Sequence, residues 1–126
     1  MKKIILSVLI LFLLTLNVKA MDFQEAFAQS RVKPVVVLLY ADWSDNQENA
    51  LNVFRTLQPR FSRVYNFVEL DIAKEETKFY NQRFDIFRGL PYIMMYKEGG
   101  KISRFIDSSC TNDTRCLESK LKSFIQ

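Results

Sequence analysis

Histidine is missing from all 126 residues, and there are only two cysteines, three glycines, three prolines and one tryptophan. Without an imidazole to take a proton, Ser-His-Asp and Cys-His nucleophilic arrangements are impossible. Two cysteines alone cannot complete a zinc shell of the usual ligands, so neither a metal ion nor a cofactor is expected. No cysteine precedes Cys110, which excludes a lipid anchor on a cysteine at an N-terminal cleavage site. Strong net charge is missing too. Lys2, Lys3 and Lys19 supply three of the 18 basic residues and none of the 14 acidic ones, leaving 15 against 14, or +1, in the rest. The Lys and Arg residues are scattered rather than clustered, so the basic pI gives no support for nucleic-acid binding.

The N-terminus has the form of a secretory signal over residues 1–20. Lys2-Lys3 is its basic start, Ile4 to Leu14 its apolar stretch, and Val18-Lys19-Ala20 a cleavage site after Ala20. The apolar run falls short of the ~20 residues a membrane-spanning helix needs, and an uncleaved anchor is the second reading. A leader of this kind predicts an exported protein, bacterial periplasmic or extracellular, with residues 21–126 as one domain. No repeat, low-complexity tract or linker divides that domain.

Asp22-Phe-Gln-Glu25 reads as a helix start, with Phe23 and Phe27 on one face. Val35 to Tyr40 is an unbroken apolar, β-branched run, as expected of a strand covered on both faces of its sheet. Helical spacing follows from Asp45 to Leu57, with Pro59 disfavouring continuation. Val64 to Leu70 predicts the next strand, and two strands joined by one helix imply a parallel βαβ unit. Lys74 to Phe84 predicts a charged helix burying Phe79, Tyr80 and Phe84. Tyr92 to Tyr96 and Lys101 to Ile106 flank Lys97-Glu-Gly-Gly100, a hairpin signal. A last helix carries Leu117, Leu121 and Ile125 on one face.

Two local features sharpen this order. The first strand runs into Tyr40-Ala-Asp-Trp43 and at once into a helix start; later, Gly89-Leu90-Pro91 leads into a second apolar strand. The pairing resembles the thioredoxin family, in which a strand enters Trp-Cys-x-x-Cys and a Gly-hydrophobic-Pro turn packs against it. The resemblance implies a single α/β domain, a central mixed sheet flanked by helices, with a cis Leu90–Pro91 bond. Ser44 and Gln47 stand at the two cysteine positions, and Leu38 where redox-active members often bury an aspartate. A serine hydroxyl is too weak an acid for a helix N-terminus to ionise, so Ser44 cannot inherit the cysteine's chemistry. Trp43, Ser44, Asp45, Asn46 and Gln47 are therefore degenerate active-site positions with no catalytic residue. Asp45 and Glu48 are suited to capping the helix that follows. The resemblance also makes Trp43, Leu90 and Pro91 a groove for extended peptide or protein clients.

Cys110 and Cys116 enclose Thr-Asn-Asp-Thr-Arg, and an exported chain meets oxidising conditions. They should bridge the loop after the last strand to the first turn of the final helix, with Asp113 or Thr114 as its N-cap. Three functions remain open: a redox-inactive binding or chaperone-like module, a thiol-disulfide oxidoreductase or redox-homeostasis protein using Cys110 and Cys116, and a structural subunit of an envelope complex. The missing dithiol leans away from an enzyme.

Overall fold

The computed structural model describes residues 22–41, 43, 46–74 and 89–126. The signal reading of residues 1–20, the capping residue Asp45, Ser44, and the helix with Phe79, Tyr80 and Phe84 lie outside the described residues. Helix α1 spans Phe23–Ala28, strand β1 Val35–Tyr40, helix α2 Gln47–Phe61 and strand β2 Asn66–Asp71. Strand β3 follows at Tyr92–Lys97 and β4 at Ile102–Ile106, then a single helical turn, α3, at Ser108–Thr111, and helix α4 at Thr114–Phe124.

The helix starts follow side-chain chemistry. Asp22 accepts the Glu25 amide at the head of α1, and Asp113 accepts the Arg115 and Cys116 amides at the head of α4. In α1, Phe23 and Phe27 lie on one side with ring centroids 5.5 Å apart, as their spacing requires. Between β3 and β4 the chain turns through Gly99 and Gly100, both at positive φ. Gly100 is needed for a second reason: a Cβ there would stand 2.6 Å from the Phe27 ring, so the turn seats directly on α1.

The sheet order is β2-β1-β3-β4. β1 runs parallel to β2 and antiparallel to β3, and β3 antiparallel to β4, giving the mixed α/β sheet that the pattern implied. Residues Val35 to Leu39 are fully buried and divide by parity between two cores. Val36 and Leu38 pack with Ile93, Met95 and the inner faces of α2 and α4. Val35, Val37 and Leu39 pack with Phe23, Val68, Tyr92 and Tyr96 on the α1 side. That is why the β1 run shows no polar alternation.

Three boundaries depart from expectation. Helix α2 starts at Gln47 rather than Asp45, after a left-handed Asn46 (φ 62°) whose side chain makes no cap bond. It also continues through Pro59 to Phe61. Proline there removes only one amide donor near the helix end, while buried Phe61, edge-on to Tyr65, holds the last turn. The second strand begins at Asn66 rather than Val64, because the Val64 and Tyr65 amides still donate back to the Phe61 carbonyl. On α4 the buried third residue is Phe124, and Ile125 caps the helix at 38% exposure. With 3.6 residues per turn, Phe124 rather than Ile125 falls beneath Leu117 and Leu121. Lys97 Nζ caps this end by donating to the Phe124 carbonyl at 2.6 Å.

The buried Tyr65 hydroxyl donates to the Leu121 carbonyl at 2.6 Å, tying the entry of β2 to α4. Burial pushes its phenol well above the ordinary tyrosine range, with Arg104 opposing. The unfolded phenol titrates near about 10, so this group's contribution is complete below that pH and is lost as pH rises above it, by up to about 1.4 kcal/mol per pH unit. Tyr65→Phe should flatten the alkaline decline of the denaturant midpoint. An equal decline in both proteins would mean that another group causes it.

Candidate functional site

The register places three connections at one end of the sheet. Leu39 pairs with Tyr92, and Ile93 with Ile106. The β1–α2 connection with Trp43, the segment Gly89-Leu90-Pro91 before β3, and the chain leaving β4 toward Cys110 therefore share that end. Trp43 is 67% exposed, which rules out the simple core-packing role open to a lone tryptophan. The Leu90–Pro91 peptide is cis, Pro91 is buried, and Gly89 has φ 89° with nothing within 4 Å of where a Cβ would be. Leu90 packs partly against the α1-side core and, among the described residues, joins neither the sheet ladder nor a turn hydrogen bond.

Leu38 is fully buried in the apolar cluster that also holds Ala50, Phe54, Ile93 and Leu117. Gln47, at one of the two positions where the resemblance would place cysteine, opens α2 half-buried, with its Oε1 enclosed and without a hydrogen-bond partner among the described residues. Along the exposed side of the first turns, Asn46, Gln47, Glu48, Asn49 and Asn52 line a shallow polar depression of about 630 Å³. Ser44 and Asp45 lie outside the described residues, so the structure does not bring the whole Trp43–Gln47 segment together. No three His, Cys, Asp or Glu side chains among the described residues converge on a point that could hold a metal ion.

Cys110 and Cys116 form a disulfide, with Cα atoms 5.3 Å apart. The sequence places Cys116 correctly in the first turn of α4. It misses the turn α3 around Cys110, which Asp107 opens by accepting the Ser109 amide and hydroxyl at 3.1 and 2.5 Å. The Ser109 hydroxyl bond holds the Asp107 carboxyl below the usual range, with the Ser109 and Cys110 amides adding to the effect. Cys110 is buried at 5% exposure in the core shared by α2 and α4, and half-buried Cys116 packs against the same core. Inside the ring that the bridge closes, Asn112 accepts from Asn49 Nδ2 of α2 through both its backbone oxygen (3.4 Å) and its side-chain oxygen (3.2 Å). The partners stand 63 residues apart, and no local pattern announces the contact.

No protein-family profile matches the sequence, and no curated protein matches it. The likeness lies in the fold. A thioredoxin from Malassezia sympodialis superposes with a TM-score of 0.65 at 20% identity, covering 83% of this chain and 86% of that one. Thioredoxin O2 from Arabidopsis thaliana, in its oxidized state, gives 0.63 at 17% identity, over 82% and 87% of the two chains. Fasciola hepatica thioredoxin gives 0.61 at 18% identity, over 80% and 90%. The chain has a thioredoxin-like fold. Its cysteines lie at 110 and 116, away from the segment after Trp43.

Proposed function

We propose that the chain is an exported, redox-inactive thioredoxin-like protein that binds extended peptide or protein segments on the face carrying Trp43, Leu90 and Pro91. One observation carries this reading: the sole tryptophan is 67% exposed at the same sheet end as the cis Leu90–Pro91 turn. A large exposed aromatic loses little side-chain entropy on contact and supplies much apolar area, which is how tryptophan anchors interfaces. Leu90, outside the ladder, leaves backbone groups beside a strand start where an extended chain can add by strand pairing. Residues 21–126 form the binding domain, and the Lys2-Lys3 leader supports export to a bacterial periplasm or the extracellular space. No helix of the described residues is long and apolar enough to cross a membrane.

The test uses an unfolded, carboxymethylated polypeptide as probe. Trp43→Ala should weaken its binding by about tenfold while leaving the denaturant midpoint unchanged, because the side chain is exposed. Equal binding by the two proteins would remove Trp43 from the interface and overturn the reading. A second reading, disulfide exchange through Cys110 and Cys116, draws support from Cys116, half-buried in the first turn of α4 beside Arg115, where a thiolate is favoured.

A further inference from the structure

The turn α3 is four residues long, too short to persist through its own hydrogen bonds. It is held from both ends, by the Asp107 cap and by the bridge from Cys110 to Cys116. Within that ring Asn112 has a divided role. Its Nδ2 donates to the Ser108 carbonyl at 3.0 Å, inside α3, while its two oxygens face outward and receive Asn49 Nδ2. Asn49 sits in the first turn of α2, one residue before Ala50, whose amide closes that turn on the Asn46 carbonyl at 3.0 Å. Among the described residues, Asn46 makes no side-chain cap at the start of α2, whereas Asp22, Asp107 and Asp113 cap α1, α3 and α4. The first α2 turn is bonded to the disulfide ring through Asn49 and Asn112.

We propose that the Cys110–Cys116 ring is the positioning element of the Trp43 face, with Asn112 and Asn49 as the positioning residues through which it acts. This rests on the binding reading above for its functional meaning. The chain leaves Trp43 and enters α2 four residues later, at Gln47, so the placement of the first α2 turn limits where the indole can stand. A conventional N-cap would hold that turn in any redox state. A bridge-borne anchor holds it only while the disulfide is closed. Reduction by a dithiol passes two electrons and two protons to the sulfurs, giving two thiols and a cyclic disulfide in the reductant. The ring then opens, and Asn112 is no longer fixed opposite Asn49.

Amide hydrogen exchange tests this without any peptide ligand. Reduction of the wild-type protein with dithiothreitol should accelerate exchange at the Ala50 amide by about fivefold, the loss expected for one modest hydrogen bond. Asn49→Ala should give the same acceleration in the oxidised protein. Reduction of that variant should then add almost nothing at Ala50, because the two changes act through one contact. The Leu117 amide, bonded to the Asp113 carbonyl at 3.0 Å, should respond to reduction in every variant and verifies that the bridge has opened. Acrylamide quenching of Trp43 should change together with Ala50. An unaltered Ala50 rate on reduction, or an equal effect of reduction with and without Asn49, overturns the proposal. These outcomes are separable from failure of the peptide test, which leaves Ala50 exchange untouched.

Discussion

Leu38→Asp should destabilise the protein by about 3–5 kcal/mol at neutral pH, the scale of an unpaired polar or charged group placed in a core. Leu38 is fully buried in an apolar cluster that includes Ala50, Phe54, Ile93 and Leu117. None can donate to a carboxylate. Desolvation will raise the introduced carboxyl's folded pKa above its unfolded value near about 4. A raised folded value means the penalty is least below about pH 4 and deepens as pH increases toward the folded pKa, by up to about 1.4 kcal/mol per unit. Denaturant midpoints at acidic and neutral pH measure both parts. A loss below about 1 kcal/mol, with no pH dependence, would show that the site beneath α2 accommodates a charge as redox-active thioredoxins do. The site would then have kept its capacity for proton handling although its dithiol is absent.

Replacing both Cys110 and Cys116 by alanine should lower stability by about 2 kcal/mol, the loop-entropy value for so small a ring. The calculation concerns the unfolded chain, and the folded state adds its own reason for retaining the bridge. Cys110 is buried in the core, and only Cys116 is open enough for an attacking thiolate to reach. Attack there must expel Cys110 as a thiolate into apolar surroundings, where a charged sulfur is disfavoured. Exchange with client thiols should therefore be slow, and the oxidised wild-type protein should form no lasting mixed disulfide at Cys116. Clients recovered as mixed disulfides on Cys116, together with a stability loss under about 0.5 kcal/mol for the double variant, would turn the bridge into a reactive pair.

The elements written plainly in the sequence are those set by short-range chemistry. Asp22 and Asp113 precede amides they can accept, so the heads of α1 and α4 follow from side-chain reach alone. The Val35–Tyr40 run and the Lys97–Gly100 turn likewise need only strand burial and positive-φ glycine to be recognised. The disulfide followed from two cysteines and little else, and the cis Leu90–Pro91 turn from a resemblance carried by a few residues.

Tertiary structure decided the rest, because distant residues compete with local preference. Pro59 should end α2, yet burial of Phe61 against Tyr65 outweighs one missing hydrogen bond. Ile125 reads as apolar and correctly spaced, yet Phe124 fills the core. The bond between Asn49 of α2 and Asn112 is the furthest from sequence. Asparagine is common on surfaces, its pairing across 63 residues leaves no periodic trace, and only the packed fold sets Asn49 Nδ2 3.2 Å from Asn112 Oδ1.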